Sequence, residues 1–377
     1  MQCLTLPGLK HYFRSMNVVI IGAGAAGLGI GWQLARQGAT VTVLERAQYA
    51  RGAIWAAAGM IAPVGEGMEG PLAQFGQQSS QLWPDFAATL EAQSGVSIGY
   101  ARKGALLVAA DGDEAAHLAW RAEQEEDLQL LNASQAVERE PLLTPLIAGA
   151  AFAQDEAQVD TRALGHALAR ALIAAGGTII QNEAVVRIEV SSGRAVAART
   201  PFRLHEADTF VIAAGAWSSG IDGLPPGTVP PIKPIKGEII AYAVPSDAAT
   251  LREVVWGKGV YLVPRGRRIL AGASVADVGF DTSLTKTVRA FLQEHATALI
   301  PALAQWRVDE HWAGLRPASP DGLPVLGRSQ VDGLFVASGQ YRNGILFTPV
   351  LADVMARTVM TGALPPEYAA FDIRRFA

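Results

Sequence analysis

Glycines at fixed spacing carry the first chemical signal in this chain. Gly22, Gly24 and Gly27 stand in the order Gly-Ala-Gly-Ala-Ala-Gly, after the apolar run NVVII and before Leu28, Trp32 and Ala35 at helical spacing. A turn of this kind between strand and helix suits a pyrophosphate. The first glycine permits the tight turn, the second lets backbone approach the phosphates, and the third allows close helix–strand packing. The helix start, with Ala25 and Ala26, adds unpaired N–H groups and partial positive charge. Glu45 ends the next apolar run, TVTVLE, 23 residues after Gly22, where a carboxylate accepts both hydroxyl protons of an adenosine ribose. An acid there favours a free 2′-hydroxyl, hence FAD or NAD over NADP. A second loop, WAAAGMIAP at 55–63, is made of small residues that let backbone lie against a flat ring system. Taken alone it reads equally as a tight helix start.

These residues need a βαβ unit to hold them, and residues 17–45 supply its pattern, with Gly38 where the helix should stop. The acidic run DEAAHLAWRAEQEEDL at 113–128 reads as a helix with a solvated face. Asp160 is placed to cap a helix in which Leu164, Leu168 and Leu172 recur every four residues, ending at Gly176 and Gly177. TII, AVVRIEV and AVAART follow as strands, and TFVIAAGAWSSG at 209–220 reads as a buried strand returning to the nucleotide-binding sheet. Prolines at 225–234 mark a boundary. Beyond them, extended runs between 237 and 275 have the pattern of an antiparallel sheet, and a closing helix is expected at about 348–361.

Composition narrows the classes. The 377 residues suit two domains sharing an interface, and half are apolar with 18% charged, which fits a compact α/β protein. A net charge of −4 offers no basic field for nucleic acid. The single cysteine, Cys3, excludes an intramolecular disulfide and a thiolate metal cluster, no metal is expected, and a reducing cytoplasm fits. The apolar stretch at 18–35 is broken by glycines and is not a membrane span. Residues 1–15 form an N-terminal extension that lacks signal-peptide features, with Met16 an alternative start.

Further blocks carry a family resemblance. WAAAGMIAP, AAGAWSS (213–219), VYLVPR (260–265), GASVADVGFDTSLT (272–285), GLRPASPDGLPVLG (314–327) and SGQYRNGILFTP (338–349) occur in the order seen in the D-amino-acid oxidase family, and the chain resembles its glycine oxidase branch over roughly 16–370. The resemblance implies FAD, held non-covalently because the family's cysteinyl attachment has no thiol here. It places Ala25, Ala26, Glu45 and Arg46 at the ADP end, Val185 at the adenine, and Ala58, Gly59 and Met60 beside the flavin. Gln340, Tyr341, Arg342, Asn343, Gly344, Ile345 and Leu346 match the loop that binds the carbonyl end of the isoalloxazine. Tyr261, Arg316 and Arg342 match the substrate site, where a guanidinium grips a carboxylate bidentately. Arg316 reads alternatively as an interdomain ion pair, Arg342 as a residue placed by the flavin loop, and Tyr261 as core packing. The implied reaction is oxidative deamination of glycine, sarcosine or a small D-amino acid by hydride transfer to flavin N5, giving a 2-oxo acid, ammonia or an amine, and hydrogen peroxide. No general base is needed, and no histidine falls at a matched position. For glycine, the resemblance adds a role in making the thiazole of thiamine and a homo-oligomeric state. Two departures stand out: Gln340 replaces the usual histidine, and GAIW at 52–55 replaces a stretch with hydroxyl side chains.

The expected architecture is therefore α/β: a Rossmann-type FAD-binding domain from 16–95, 150–225 and 310–377, with a mainly antiparallel β substrate domain from 96–149 and 226–309. Two other readings remain, a dehydrogenase of the same fold that passes electrons to a quinone or protein, and a non-catalytic flavoprotein subunit.

Overall fold

In a computed structural model, residues 16–376 are described. The expectations about the N-terminal extension, Cys3 and His11 lie outside them. Two large sheets organise the chain. The first has six strands in the order Val325–Arg328, Leu334–Ser338, Thr209–Ile212, Asn17–Ile21, Thr40–Leu44 and Thr178–Ile180. All neighbours run parallel except the Val325–Arg328 edge. Parallel strands are buried on both faces, which is why these segments read as near-continuous apolar runs.

The helix Ala25–Arg36 packs between Thr161–Ala174 and Thr348–Thr361 on one face of that sheet. Leu28 and Trp32 are fully buried, and Gly38 adopts φ +92°, the left-handed conformation that ends the helix. Asp160 Oδ1 accepts from the amides of Arg162 and Ala163 at 2.9 and 3.1 Å, so the cap read from the sequence forms. Leu164, Leu168 and Leu172 are buried below it.

The second sheet has eight strands in the order Val308–Ala318, Lys233–Ala243, Arg268–Gly272, Val260–Arg265, Val254–Gly257, Ala105–Ala109, Gly149–Ala153 and Leu128–Leu131. It is antiparallel apart from one pairing, Val254–Gly257 with Ala105–Ala109. Gly149–Ala153 and Val308–Ala318 belong to this sheet, so the divisions expected at 150 and 310 fall inside its strands. Val308–Ala318 is apolar only in part, and its role emerges from pairing along the whole of Lys233–Ala243.

Some local expectations change. The acidic helix is Gly112–Gln124 and stops short of 128, because Glu125 turns extended and Leu128 opens an edge strand against Ala153. The strand expected at 184–190 is Arg187–Ser191, which leaves Val185 in the preceding loop. The loop 50–63 contains a short helix, Ala53–Ala56, and a short strand, Met60–Ile61. Among the described residues no helix is long and apolar enough to cross a membrane.

Arg162 ties the layers together. Its guanidinium lies 4.0 Å from the Trp55 ring centroid and 5.0 Å from that of Trp312, and it pairs with Glu310 at 2.6 Å. Both charged side chains are only partly shielded, so the pair and its cation–π contacts together are worth about 1–3 kcal/mol. Arg162→Ala is expected to lower the thermal midpoint while Arg162→Lys recovers part of the loss. An unchanged midpoint in Arg162→Ala would show that the clamp adds nothing.

Candidate active site

A cavity of about 770 Å³ opens where the parallel strands end, the position at which open α/β sheets bind ligands. Ile21, Leu44 and Ala213 reach it from the carboxyl ends of their strands, and Ile239, Tyr261 and Arg316 reach it from the second sheet.

At one end the glycine turn behaves as its spacing requires. Gly22 has φ +107°, and a Cβ there would lie 2.5 Å from Ala213 O. A Cβ on Gly27 would lie 1.9 Å from Gly22 O, so this glycine serves packing and does not line the cavity. Gly24 is different: beyond its chain neighbours no atom of the described residues lies within 4 Å of the Cβ position, and the residue lines the cavity. Helix Ala25–Arg36 begins without a side-chain cap and without an acid in its first turn, so its amides are left to an anion. Glu45 is held by the amides of Ala23 (2.8 Å to Oε2) and Ala47 (3.0 Å to Oε1), which leaves lone pairs for a ribose. Arg46 lies over Trp217 at 4.2 Å, and Val185 lines the same end.

The middle of the cavity is walled by Ala56, Ala57, Ala58, Gly59 and Met60. The carbonyls of this loop point away from the cavity. Ala56 O accepts from Trp312 Nε1 (3.0 Å), Ala57 O from Thr161 Oγ1 (2.9 Å), and Gly59 O from the amide of Val159 (2.8 Å). Ala58 O accepts from Arg265, which burial depresses below its ordinary pKa and which also faces Asp160 at 3.4 Å. Gly59 has φ +89° with Val159 O only 2.0 Å from its Cβ position, and Gly314 brings the second sheet against Ala56 in the same way. The GAIW segment thus replaces hydroxyls with Trp55, whose ring meets that of Trp312 edge-on at 6.2 Å.

At the far end lie Gln340, Tyr341, Arg342, Asn343, Gly344, Ile345 and Leu346. Among the described residues, the amides of Gly344, Ile345 and Leu346 have no protein acceptor, and Gln340 Nε2 is buried without a partner. These donors can meet a carbonyl-bearing ring edge and stabilise negative charge there. Unpartnered first-turn amides, a cavity wall with no Cβ at Gly24, a carboxylate with free lone pairs and orphaned donors at the opposite end together fit FAD.

Tyr261, Arg316 and Arg342 come together against this end. Tyr261 is buried, its hydroxyl lies over Gly272, and burial raises its pKa against the opposing pull of Arg316, so it stays a neutral donor. Arg316 lies over Gly237, where a Cβ would come within 2.3 Å of its guanidinium. Its Nη1 donates to Ser274 O (3.1 Å) and Lys236 O (3.4 Å), and among the described residues no carboxylate pairs with it. The alternative of an interdomain ion pair is therefore not realised. Arg342 does have a partner, Glu66, at 3.2 Å. Glu66 was not legible as a site residue, since an acid in a glycine-rich turn has nothing to distinguish it. Burial pushes its carboxyl up in spite of Arg342 and Arg316. Among the described residues no cluster of His, Cys, Asp or Glu could hold a metal ion.

The two glycines separate binding from folding. Gly24→Val is expected to give a folded protein with FAD affinity reduced at least roughly 100-fold, about 2.7 kcal/mol, whereas Gly27→Val should fail to fold. Circular dichroism and flavin titration of the apoprotein report the two effects, and Gly24→Val with unchanged affinity would remove the pyrophosphate assignment.

Residues 17–358 match the family model for DAO, the FAD dependent oxidoreductases. The glycine oxidase of Geobacillus kaustophilus is 34% identical over 369 residues, covering 95% of this chain and 97% of its own. The crystal structure of glycine oxidase from that organism superposes with a TM-score of 0.89 at 33% identity, covering 96% of this chain and 100% of the other. The bifunctional protein ThiO/ThiG of a Nostoc species is 32% identical over 364 residues. That match takes in 95% of this chain but 55% of the Nostoc protein, so the chain spans about half the length of these bifunctional relatives. The resemblance read from the sequence blocks holds, and so do the α/β fold and the cofactor it implied. With a nucleotide cradle at one end of the cavity and orphaned donors at the other, this chain is an FAD-dependent enzyme and belongs to the DAO family of FAD-dependent oxidoreductases.

Proposed function

We propose that this chain oxidises the carbon–nitrogen bond of glycine, sarcosine or a small D-amino acid, with molecular oxygen as the final acceptor. The observation that carries this reading is the half-buried guanidinium of Arg316, which lines the cavity beside Tyr261 with no carboxylate of the described residues within ion-pair distance. A guanidinium so placed calls for an anionic partner, and an amino-acid carboxylate matches its planar fork. The names of the relatives, glycine oxidase and ThiO/ThiG, support the same substrate class and a link to thiamine formation.

In this reading Arg316 takes the substrate carboxylate through the nitrogens that Ser274 and Lys236 leave free, and the Tyr261 hydroxyl donates a second bond. Two contacts at one end fix the orientation of the α-carbon, which converts binding energy into alignment for reaction. FAD held between the Gly24 turn and the amides of Gly344, Ile345 and Leu346 would supply the two-electron oxidant for that carbon, with molecular oxygen as the final acceptor of the electron pair. The amine reacts as its neutral form and its lone pair makes the C=N bond. Water then adds to the imine and releases the 2-oxo acid and ammonia, or methylamine from sarcosine, while oxygen and two protons become hydrogen peroxide. The unpaired Gln340 Nε2 adds a neutral donor where the family's usual histidine would bring a titratable one.

Arg316→Ala should raise the apparent KM for the best substrate and the Kd of glycolate together, by about 30-fold to several thousand-fold, the effect of truncating one partner of a desolvated charge pair. Arg316→Lys should recover little, since one ammonium cannot make two parallel bonds. Loss of FAD with carboxylate binding intact would contradict the assignment, as would wild-type turnover without stoichiometric peroxide.

A further inference from the structure

We propose that the Glu66–Arg342 ion pair is a charge lock that restricts the substrate site to molecules with a single acidic group. The inference rests on the amino-acid reading above and deepens it by naming what sets the substrate class. Three arginines line the cavity and differ in their partners. Arg46 lies over Trp217 at the nucleotide end, Arg316 meets the Tyr261 hydroxyl and the carbonyls of Ser274 and Lys236 with no carboxylate of the described residues within ion-pair distance, and Arg342 is paired with Glu66 at 3.2 Å. A small amino acid needs one guanidinium. A second free one within the same end of the cavity would invite a second carboxylate, and Glu66 removes that invitation by neutralising Arg342.

The pair stands at a boundary. Glu66 and Arg342 line both the main cavity and an outer pocket of about 500 Å³, which also has Glu69, Trp256 and Asn343 in its wall. A substrate extending from Arg316 toward that pocket therefore meets the Glu66 carboxylate, whose side chain is only 12% exposed. A second anion placed there has to displace Glu66 from Arg342 or sit beside it, and like charges in a poorly hydrated site repel strongly. An apolar or hydrogen side chain meets no such cost.

The carboxylate is fixed in place. Its own amide donates to Ala62 O (3.0 Å) and the next, of Gly67, to Val64 O (3.0 Å), which closes a tight turn. Below that turn Glu156 is buried and accepts from the Gly65 amide. Burial pushes the Glu156 carboxyl up to about 8, so near neutrality it is largely uncharged and anchors the turn without adding to the negative charge at the lock.

The test compares a mono- and a diacid on the FAD-loaded protein. Glycolate and oxydiacetate serve as inert ligands, read from perturbation of the flavin spectrum, with glycine and iminodiacetate as the corresponding substrates. In Glu66→Gln the ratio of oxydiacetate to glycolate affinity, and the ratio of kcat/KM for iminodiacetate to that for glycine, should each rise about tenfold or more over wild type. Glu66→Ser should move the ratios in the same direction, and Glu66→Asp, which keeps the charge, should hold them within about threefold of wild type. Ratios unchanged in both neutral variants, or moved equally in Glu66→Asp, overturn the lock while leaving the amino-acid reading standing. A wild-type protein that binds neither glycolate nor glycine overturns both.

Discussion

The loop Ala56–Gly59 is the constraint on which the rest of the molecule depends. Each of its carbonyls is bound by a different part of the chain: a tryptophan of the second sheet, a threonine on the helix that Asp160 caps, a partly buried arginine, and the amide of Val159. A backbone held from so many directions has little freedom left, and its small side chains let both sheets approach it closely. Gly314 and Gly59 are glycines because a Cβ at either would collide with the neighbouring layer. The cavity exists where this loop keeps the sheets apart on one side while binding them on the other.

Charge is distributed along that cavity with the same economy. The nucleotide end relies on helix amides and a carboxylate oriented by two backbone N–H groups, so its preference for diphosphate and ribose comes from the main chain more than from cationic side chains. The opposite end combines a neutral tyrosine, an arginine that forms no ion pair among the described residues and an arginine paired with Glu66. A guanidinium without a carboxylate in a partly desolvated site is costly unless a ligand satisfies it, so in the proposed reading Arg316 takes the substrate carboxylate and Arg342, already paired with Glu66, does not. In the proposed reading the two arginines have opposite tasks.

The nucleotide half was legible in the sequence because its signals are local. Gly22, Gly24 and Gly27 sit within a few residues of each other, Glu45 follows at the length of one βαβ unit, and Asp160 stands directly before the helix it caps. Block resemblance extended this to Tyr261, Arg316 and Gln340–Leu346, and all of these line the cavity. What escaped depends on contacts distant in sequence. Glu66 matters through Arg342, 276 residues further on, and Trp55 gains its place from Arg162 and Trp312. The strand Val308–Ala318 looked like the start of the last nucleotide-binding segment because it leads into the turn motifs at 319–347, yet its pairing with Lys233–Ala243 carries it into the other sheet. Charge alone does not mark where Glu125 leaves helical geometry, so the acidic run 113–128 suggests a longer helix than the Gly112–Gln124 that forms.

The central claim is that this cavity brings an amino-acid α-carbon to bound FAD. It is tested most directly by mixing the FAD-loaded protein anaerobically with glycine, sarcosine, proline and both enantiomers of common amino acids, and following the visible flavin absorbance. The account predicts stoichiometric bleaching by glycine, sarcosine or small D-amino acids, and colour restored with peroxide on admitting oxygen. Absorbance unchanged by every amino acid, or bleaching confined to bulky L-amino acids, would contradict it.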